Sequence, residues 1–127
     1  MTILEDSDAM ATIAVKDVKN ARKFYEGTLG LKPKQSVEPG VLMLESGGSL
    51  VLVYQSQFAG TNKATAATWD IGKDIERVIR DLKAKGVAFE HYDMPGITRK
   101  GDIHIAGKIR NAWLKDPDGN ILSLVSG

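Results

Sequence analysis

Two histidines and two aspartates form the densest chemical pattern in the sequence. His91-Tyr92-Asp93 and Asp102-Ile103-His104 each place an imidazole and a carboxylate two residues apart, on one face wherever the chain is extended. If the two segments paired, two nitrogen and two oxygen ligands would meet, a set suited to a divalent cation. Unpaired, they read as solvated hairpin or loop edges. Asp70 and Thr68 are a second pair on one strand face. Asp70 serves there either as a general base or hydrogen-bond anchor, or as a cap for the helix after Gly72-Lys73-Asp74. No Ser, His and Asp are spaced for a nucleophilic triad. Gly47-Gly48 lacks the following helix of a phosphate-cradling loop. The chain has no cysteine, which excludes disulfides, thiolate metal sites and cysteine nucleophiles.

The elements that must position these residues fit one domain of 127 residues. A net charge of +1 argues against nucleic acid or an anionic membrane as the main partner. Residues 1–8 hold Glu5, Asp6 and Asp8 without a long apolar run, so they read as neither signal peptide nor anchor. No stretch approaches the roughly 20 apolar residues that span a bilayer. A cytoplasmic location is the default expectation.

Residues 10–15 read as a strand with Ala11, Ile13 and Val15 on the core face. Asp17 is an N-cap for an amphipathic helix from Val18 to about residue 28, closed by Gly30. Strands follow over 31–37, 41–45 and 49–55, with turns at Pro39-Gly40 and Gly47-Gly48. A polar connector holding Gly60 separates the modules. The second begins with a strand over 65–71. Its helix carries Ile75, Val78, Ile79 and Leu82 and ends at Gly86. A strand over 87–91, a loop from Met94 to about Lys108, and a hairpin over 109–115 and 120–126 complete the chain. Asp116-Pro117-Asp118-Gly119 is the turn of that hairpin.

An internal repeat underlies this order. Val15 and Ile71, Gly30 and Gly86, and Leu31 and Val87 are each 56 positions apart. Gly48 to Leu52 overlies Gly119 to Ser123 at 71 positions. The offsets differ by the length of the Met94–Lys108 stretch, so the second module is the first plus one insertion. The expected class is α+β: two paired βαβββ modules, about 10–56 and 65–126, forming a cup-like mixed sheet with helices outside. Alternation puts Met10, Thr12, Ala14, Leu50, Leu52 and Tyr54 on the inner face, with Ala66, Thr68, Asp70, Ile121, Ser123 and Val125 from the second module. Trp69 has helix-facing parity. Trp113, beside the turn, reads equally as core or as pocket. Arg99, Lys100 and His104 ride on the insertion, which reads either as a lid over the cup or as a surface loop without a role.

Val15-Lys16-Asp17, Phe24-Tyr25, Leu29-Gly30-Leu31 and Lys115-Asp116-Pro117-Asp118-Gly119-Asn120 together resemble the glyoxalase/bleomycin-resistance/extradiol-dioxygenase family, the vicinal oxygen chelate proteins. The resemblance implies paired βαβββ modules, frequent homodimers, and a divalent metal held by four His, Glu or Gln ligands, one per inner strand. Carried onto this chain, those ligand positions fall at Met10, Leu52, Ala66 and Ser123. A thioether, two hydrocarbons and one hydroxyl cannot replace imidazole and carboxylate. Their neighbours Ala9, Ala11, Val51, Val53, Thr65, Ala67, Leu122 and Leu124 offer no acid or imidazole either.

The family metal site is therefore expected to be missing. Its metal-dependent activities (lactoylglutathione lyase, extradiol cleavage, thiol transfer to fosfomycin, epimerisation) lose their basis with it. The leading expectation is a protein without metal or cofactor that binds a small organic molecule in an apolar cup lined by Met10, Thr12, Leu52, Tyr54, Ala66, Thr68, Asp70, Trp113 and Ser123. Sequestration without chemistry is one such role. The alternatives are an enzyme that is metal-independent or uses a relocated metal near His91 and His104, and a dimeric scaffold with a vestigial pocket.

Overall fold

Apolar residues at every second position decide the faces of the first strand. In the computed structural model, which describes residues 3–34 and 39–126, β1 spans Ala11–Val15 with Ile13 and Val15 buried and Thr12 exposed. Met10 lies just before the strand rather than within it. Asp17 has extended backbone, and its carboxylate accepts from the Lys19 N–H at 2.9 Å, capping α1 (Val18–Arg22). The helix then widens. Lys23–Thr28 continues it in π turns, and the Leu29 N–H reaches the Phe24 carbonyl. Gly30, at φ +78°, turns the chain away. The Leu31 N–H closes the end on the Tyr25 carbonyl.

β2 (Lys32–Lys34), β3 (Val41–Ser46) and β4 (Ser49–Gln55) complete a sheet of order β1-β4-β3-β2. β1 runs parallel to β4, and the other pairs are antiparallel. α1 packs on β3 and β4. Ile13, Val15, Ala21, Tyr25, Leu42, Leu44, Val51 and Val53 are buried. The strand expected over 31–37 is confined to Lys32–Lys34 as far as described. Residues 35–38 of that expectation lie outside the described residues.

The second unit repeats this plan. β5 (Thr65–Asp70) leads through a 3-10 turn (Gly72–Asp74) into α2 (Ile75–Ala84). Ile75, Ile79 and Leu82 recur at helical spacing and are buried. Gly86 closes the helix: its N–H bonds the Lys83 carbonyl, and the Val87 N–H bonds that of Leu82. β6 is Phe89–Glu90, shorter than the strand expected over 87–91. β9 (Ile109–Lys115) and β10 (Ile121–Ser126) form the closing hairpin. α2 packs on β10, and Ala67, Ala112, Leu114, Leu122 and Leu124 are buried. The chain divides into compact units at Met1–Ala59 and Gly60–Gly127. Each is α+β, built on βαβββ, as the sequence pattern predicts.

Strand registers carry the repeat down to single residues. Thr12 faces Leu52 and Ala14 faces Tyr54 in the first unit, while Thr68 faces Ser123 and Asp70 faces Val125 in the second. Pro33 faces Leu44 as Phe89 faces Leu114.

The insertion departs from expectation. Met94 to Lys108 is not a loop, since it contains β7 (Thr98–Lys100) and β8 (Ile103–Ala106). β8 joins the edge of β9 beyond β6, and β7 becomes the end strand of β5-β10-β9-β8-β7. Gly101 and Gly107 are the cause of the misreading. They punctuate the sequence like a loop, yet each opens a two-residue hairpin turn, with φ +63° and +62°.

Candidate functional sites on two sheet faces

In the second unit, the side of the sheet away from α2 gathers most of the sequence's polar chemistry. Trp113, Ser123 and Thr68 face one another across β9, β10 and β5, and Glu90 extends that row on β6. Arg99, His104, Asn111, Val125 and Asp70 form the neighbouring row. Ser123 is only 2% exposed, and its Oγ accepts from Asn111 Nδ2 at 3.0 Å. Trp113 Nε1 donates to Thr65 Oγ1 at 3.2 Å. Ala66 is the unmatched residue of a β-bulge, since Ile121 faces Thr65 while Leu122 faces Ala67. The bulge shifts the phase of β5, which brings Thr65 to Trp113 where strict alternation would not.

His104 is 2% exposed in this layer. The Tyr92 N–H donates to its Nε2 at 2.9 Å. Its ring centroid lies 4.8 Å from Trp113 and 6.1 Å from Tyr92, and Tyr92 meets Trp113 edge-on at 5.4 Å. His104 is thus a sheet residue under aromatic cover and not part of a flap. Arg99 sits beside it on the exposed strand β7, donating to the Gly101 carbonyl at 2.8 Å.

The first unit's corresponding face is more apolar. Thr12, Leu52 and Met43 form one row, and Ala14, Tyr54 and Val41 the next. Met10 and Tyr54 are 42% and 37% exposed. A cavity of about 670 Å³ opens beside the β3–β4 turn, with Met10 and Leu50 as apolar lining and Asp8, Lys34 and Glu45 as charged lining.

One sequence-derived reading falls away on this geometry. The paired His/Asp site does not assemble. His91 Nε2 binds Asp102 Oδ1 at 2.7 Å, whereas His104 Nε2 is occupied by the Tyr92 N–H. Asp102 also receives Lys83 Nζ at 2.8 Å. The Lys83 hydrogen bond, followed by that of His91, holds the Asp102 carboxyl below the usual carboxylate range. Asp70 makes a local turn, its Oδ1 accepting from the Gly72 N–H at 3.2 Å, and it does not cap α2, whose N-cap is Asp74.

Comparison with known proteins now places the chain. A family model described as "Glyoxalase/Bleomycin resistance protein/Dioxygenase superfamily" matches residues 9–124. This chain belongs to that superfamily. Solved structures agree on the fold of the superfamily member. The fosfomycin resistance protein FosX from Listeria monocytogenes is 15% identical, with 95% of this chain and 93% of that one covered at a TM-score of 0.71. A glyoxalase/bleomycin resistance protein/dioxygenase from Alicyclobacillus acidocaldarius is 18% identical, with coverage of 95% and 91% and a TM-score of 0.71. A mobile-metagenome protein of V. Pseudocholerae is 23% identical, with coverage of 99% and 96% and a TM-score of 0.65. A search of curated proteins finds no match.

Within the superfamily member, the metal can be tested against the donors the fold provides. Met10, before β1, offers a thioether. Leu52 and Ala66 offer no donor atom, and the Ser123 hydroxyl is engaged by Asn111. Their register partners Thr12 and Thr68 add only neutral hydroxyls. A divalent cation wants imidazole or carboxylate, so this donor set does not fit it.

The superfamily member also adds polar groups to the lining expected from the sequence. On the second unit's face Thr65 and His104 contact Trp113, and Ser123, bonded to Asn111, stands opposite it. Asn111, Thr65 and Tyr92 escape sequence reading. Asn111 shares the parity of Trp113 along β9, a signal already in the alternation. Thr65 and Tyr92 depend on a bulge and on a backbone contact that leave no mark in the sequence.

Proposed function

We propose that this superfamily member binds a small organic molecule through burial and a few hydrogen bonds, with no divalent cation in its site. The observation that carries the reading is the pairing of an unsuitable donor set with a built cavity. The position that resembles the first family ligand is Met10, and Met10 lines a cavity of about 670 Å³, a size typical of small-molecule sites. Within the first unit, Thr12, Leu52 and Tyr54 lie on one sheet face; within the second, Thr68, Asp70, Trp113 and Ser123 form a separate candidate face, with Thr65 in the place expected for Ala66. Sequestration is the simplest biological use of this binding. Two copies would associate through the end strands of their sheets, such as β1 and β5, each of which pairs on one side only among the described residues.

A second reading, a metal-independent enzyme, rests on His91. Asp102 orients that imidazole at 2.7 Å as it would a general base.

The test is elemental analysis of dialysed protein together with thermal shifts against a panel of small organic compounds. The expected result is no stoichiometric metal and a compound that at 100 times its Kd stabilises by about 2.7 kcal/mol. Stoichiometric zinc, nickel, iron or manganese that is needed for binding would overturn the reading.

A further inference from the structure

Two polar atoms in the second unit are buried without a hydrogen-bond partner among the described residues: His104 Nδ1 and Tyr92 Oη. Their pairing states follow from the backbone. Because the Tyr92 N–H donates to His104 Nε2, that nitrogen carries a lone pair and no proton. The hydrogen bond therefore assigns the ring proton to Nδ1, which becomes a buried donor with nothing to receive it. Tyr92 Oη–H is a second donor in the same aromatic cluster. Ser123 Oγ already accepts from Asn111, so its own hydroxyl hydrogen is a third donor nearby on the sheet. Folded proteins rarely leave such groups unsatisfied, since each costs about 1–3 kcal/mol.

The surroundings specify what would satisfy them. Trp113 meets both the His104 and Tyr92 rings edge-on. Arg99 stands opposite His104 on β7. Glu90, opposite Trp113, lies 3.4 Å from Lys115, which offsets its charge. Donors, aromatic edges and a neighbouring cation suit an acceptor oxygen carried on a flat apolar body. Tyr92 lies on the β6–β7 connection, outside any strand, so its ring can swing without breaking a ladder.

We propose that His104 and Tyr92 bind and select a ligand on this face of the second unit, and that the ligand is a small aromatic molecule bearing a carboxylate. The inference rests on the small-molecule reading above, applied to the second unit's own face, and sharpens it to a chemical class.

Benzoate, benzamide and toluene are the probes, titrated against the full chain by ¹⁵N NMR of the imidazoles and by calorimetry. The expected spectrum shows His104 protonated at Nδ1, with that signal shifting on addition of benzoate. Benzoate should bind more tightly than toluene, with benzamide between. Tyr92→Phe removes only Oη and should weaken benzoate about tenfold while leaving toluene unchanged. His104→Phe should abolish the preference for benzoate. If that variant fails to fold, Tyr92→Phe and the wild-type imidazole spectrum decide the matter. Equal affinity for the three probes, or Tyr92→Phe without effect on benzoate, would overturn this selection and leave the broader reading standing. An ordered water as the only partner of Nδ1, unmoved by benzoate, would overturn it as well. Failure of all three probes, together with failure of every compound in the wider panel, would instead sink the small-molecule reading itself.

Discussion

Asp116 shows how much a single carboxylate can organise. Its Oδ1 accepts from the backbone N–H of Asp118 at 2.9 Å and of Asn120 at 2.8 Å, and its Oδ2 accepts from Asn120 Nδ2 at 2.8 Å. Asp116 and Asn120 are both buried. Asp116→Ala removes these three hydrogen bonds, and the expected loss is about 3 kcal/mol in urea denaturation. Gly60 guards the same turn. Its φ is +75°, and a Cβ built on it would overlap the Asp118 carbonyl oxygen. Gly60→Ala should therefore cost about 2–4 kcal/mol by thermal melting, whereas Gly27→Ala, with open space around its Cβ, should be far milder. Pro117 and Gly119 announce the turn in the sequence. The burial of Asp116 and the close passage of Gly60 do not show there, because both depend on chain segments distant in sequence.

At the scale of elements, periodicity and caps are legible, and added strands are not. Asp17, Gly30 and Gly86 mark helix ends that the structure retains. β7 and β8 are missed because three and four residues between glycines give too little alternation to distinguish strand from loop. They hold their place through Asp102, at the β7–β8 turn, which grips Lys83 on α2 and His91 after β6. Asp102 has a depressed folded-state pKa, so its contribution is complete above the unfolded value of about 3.9 and is lost as pH falls through the lower folded value. Amide exchange across Ile103–Ala106 should accelerate in that acid window. Asp102→Asn should show the accelerated exchange already at neutral pH and no further acid step from this group.

At the scale of the molecule, the repeat is the most legible feature. The spacings between Thr12 and Thr68 and between Leu52 and Ser123 reappear as matching ladder partners. The chemistry of the sheet faces is less legible. Counting ligand positions finds the unsuitable donors at Met10, Leu52, Ala66 and Ser123. It does not find the polar layer, because His104 reaches the sheet only through the inserted hairpin. One expectation for the whole chain is that exhaustive chelation leaves its melting temperature unchanged, in contrast to a protein whose fold depends on a bound cation. Among the described residues, no helix is long and apolar enough to cross a membrane.

The shared edge of β9 has a consequence for what the inserted hairpin can change. β6 pairs with one half of that edge and β8 with the other, and Ala112 lies between the two ladders. A hairpin seated this way lies outside the β5-β10-β9 ladder, which can pair without it. Its exchange would take away His104 and leave the Tyr92 N–H without that acceptor, so the polarity of this face can be reset by replacing one short segment.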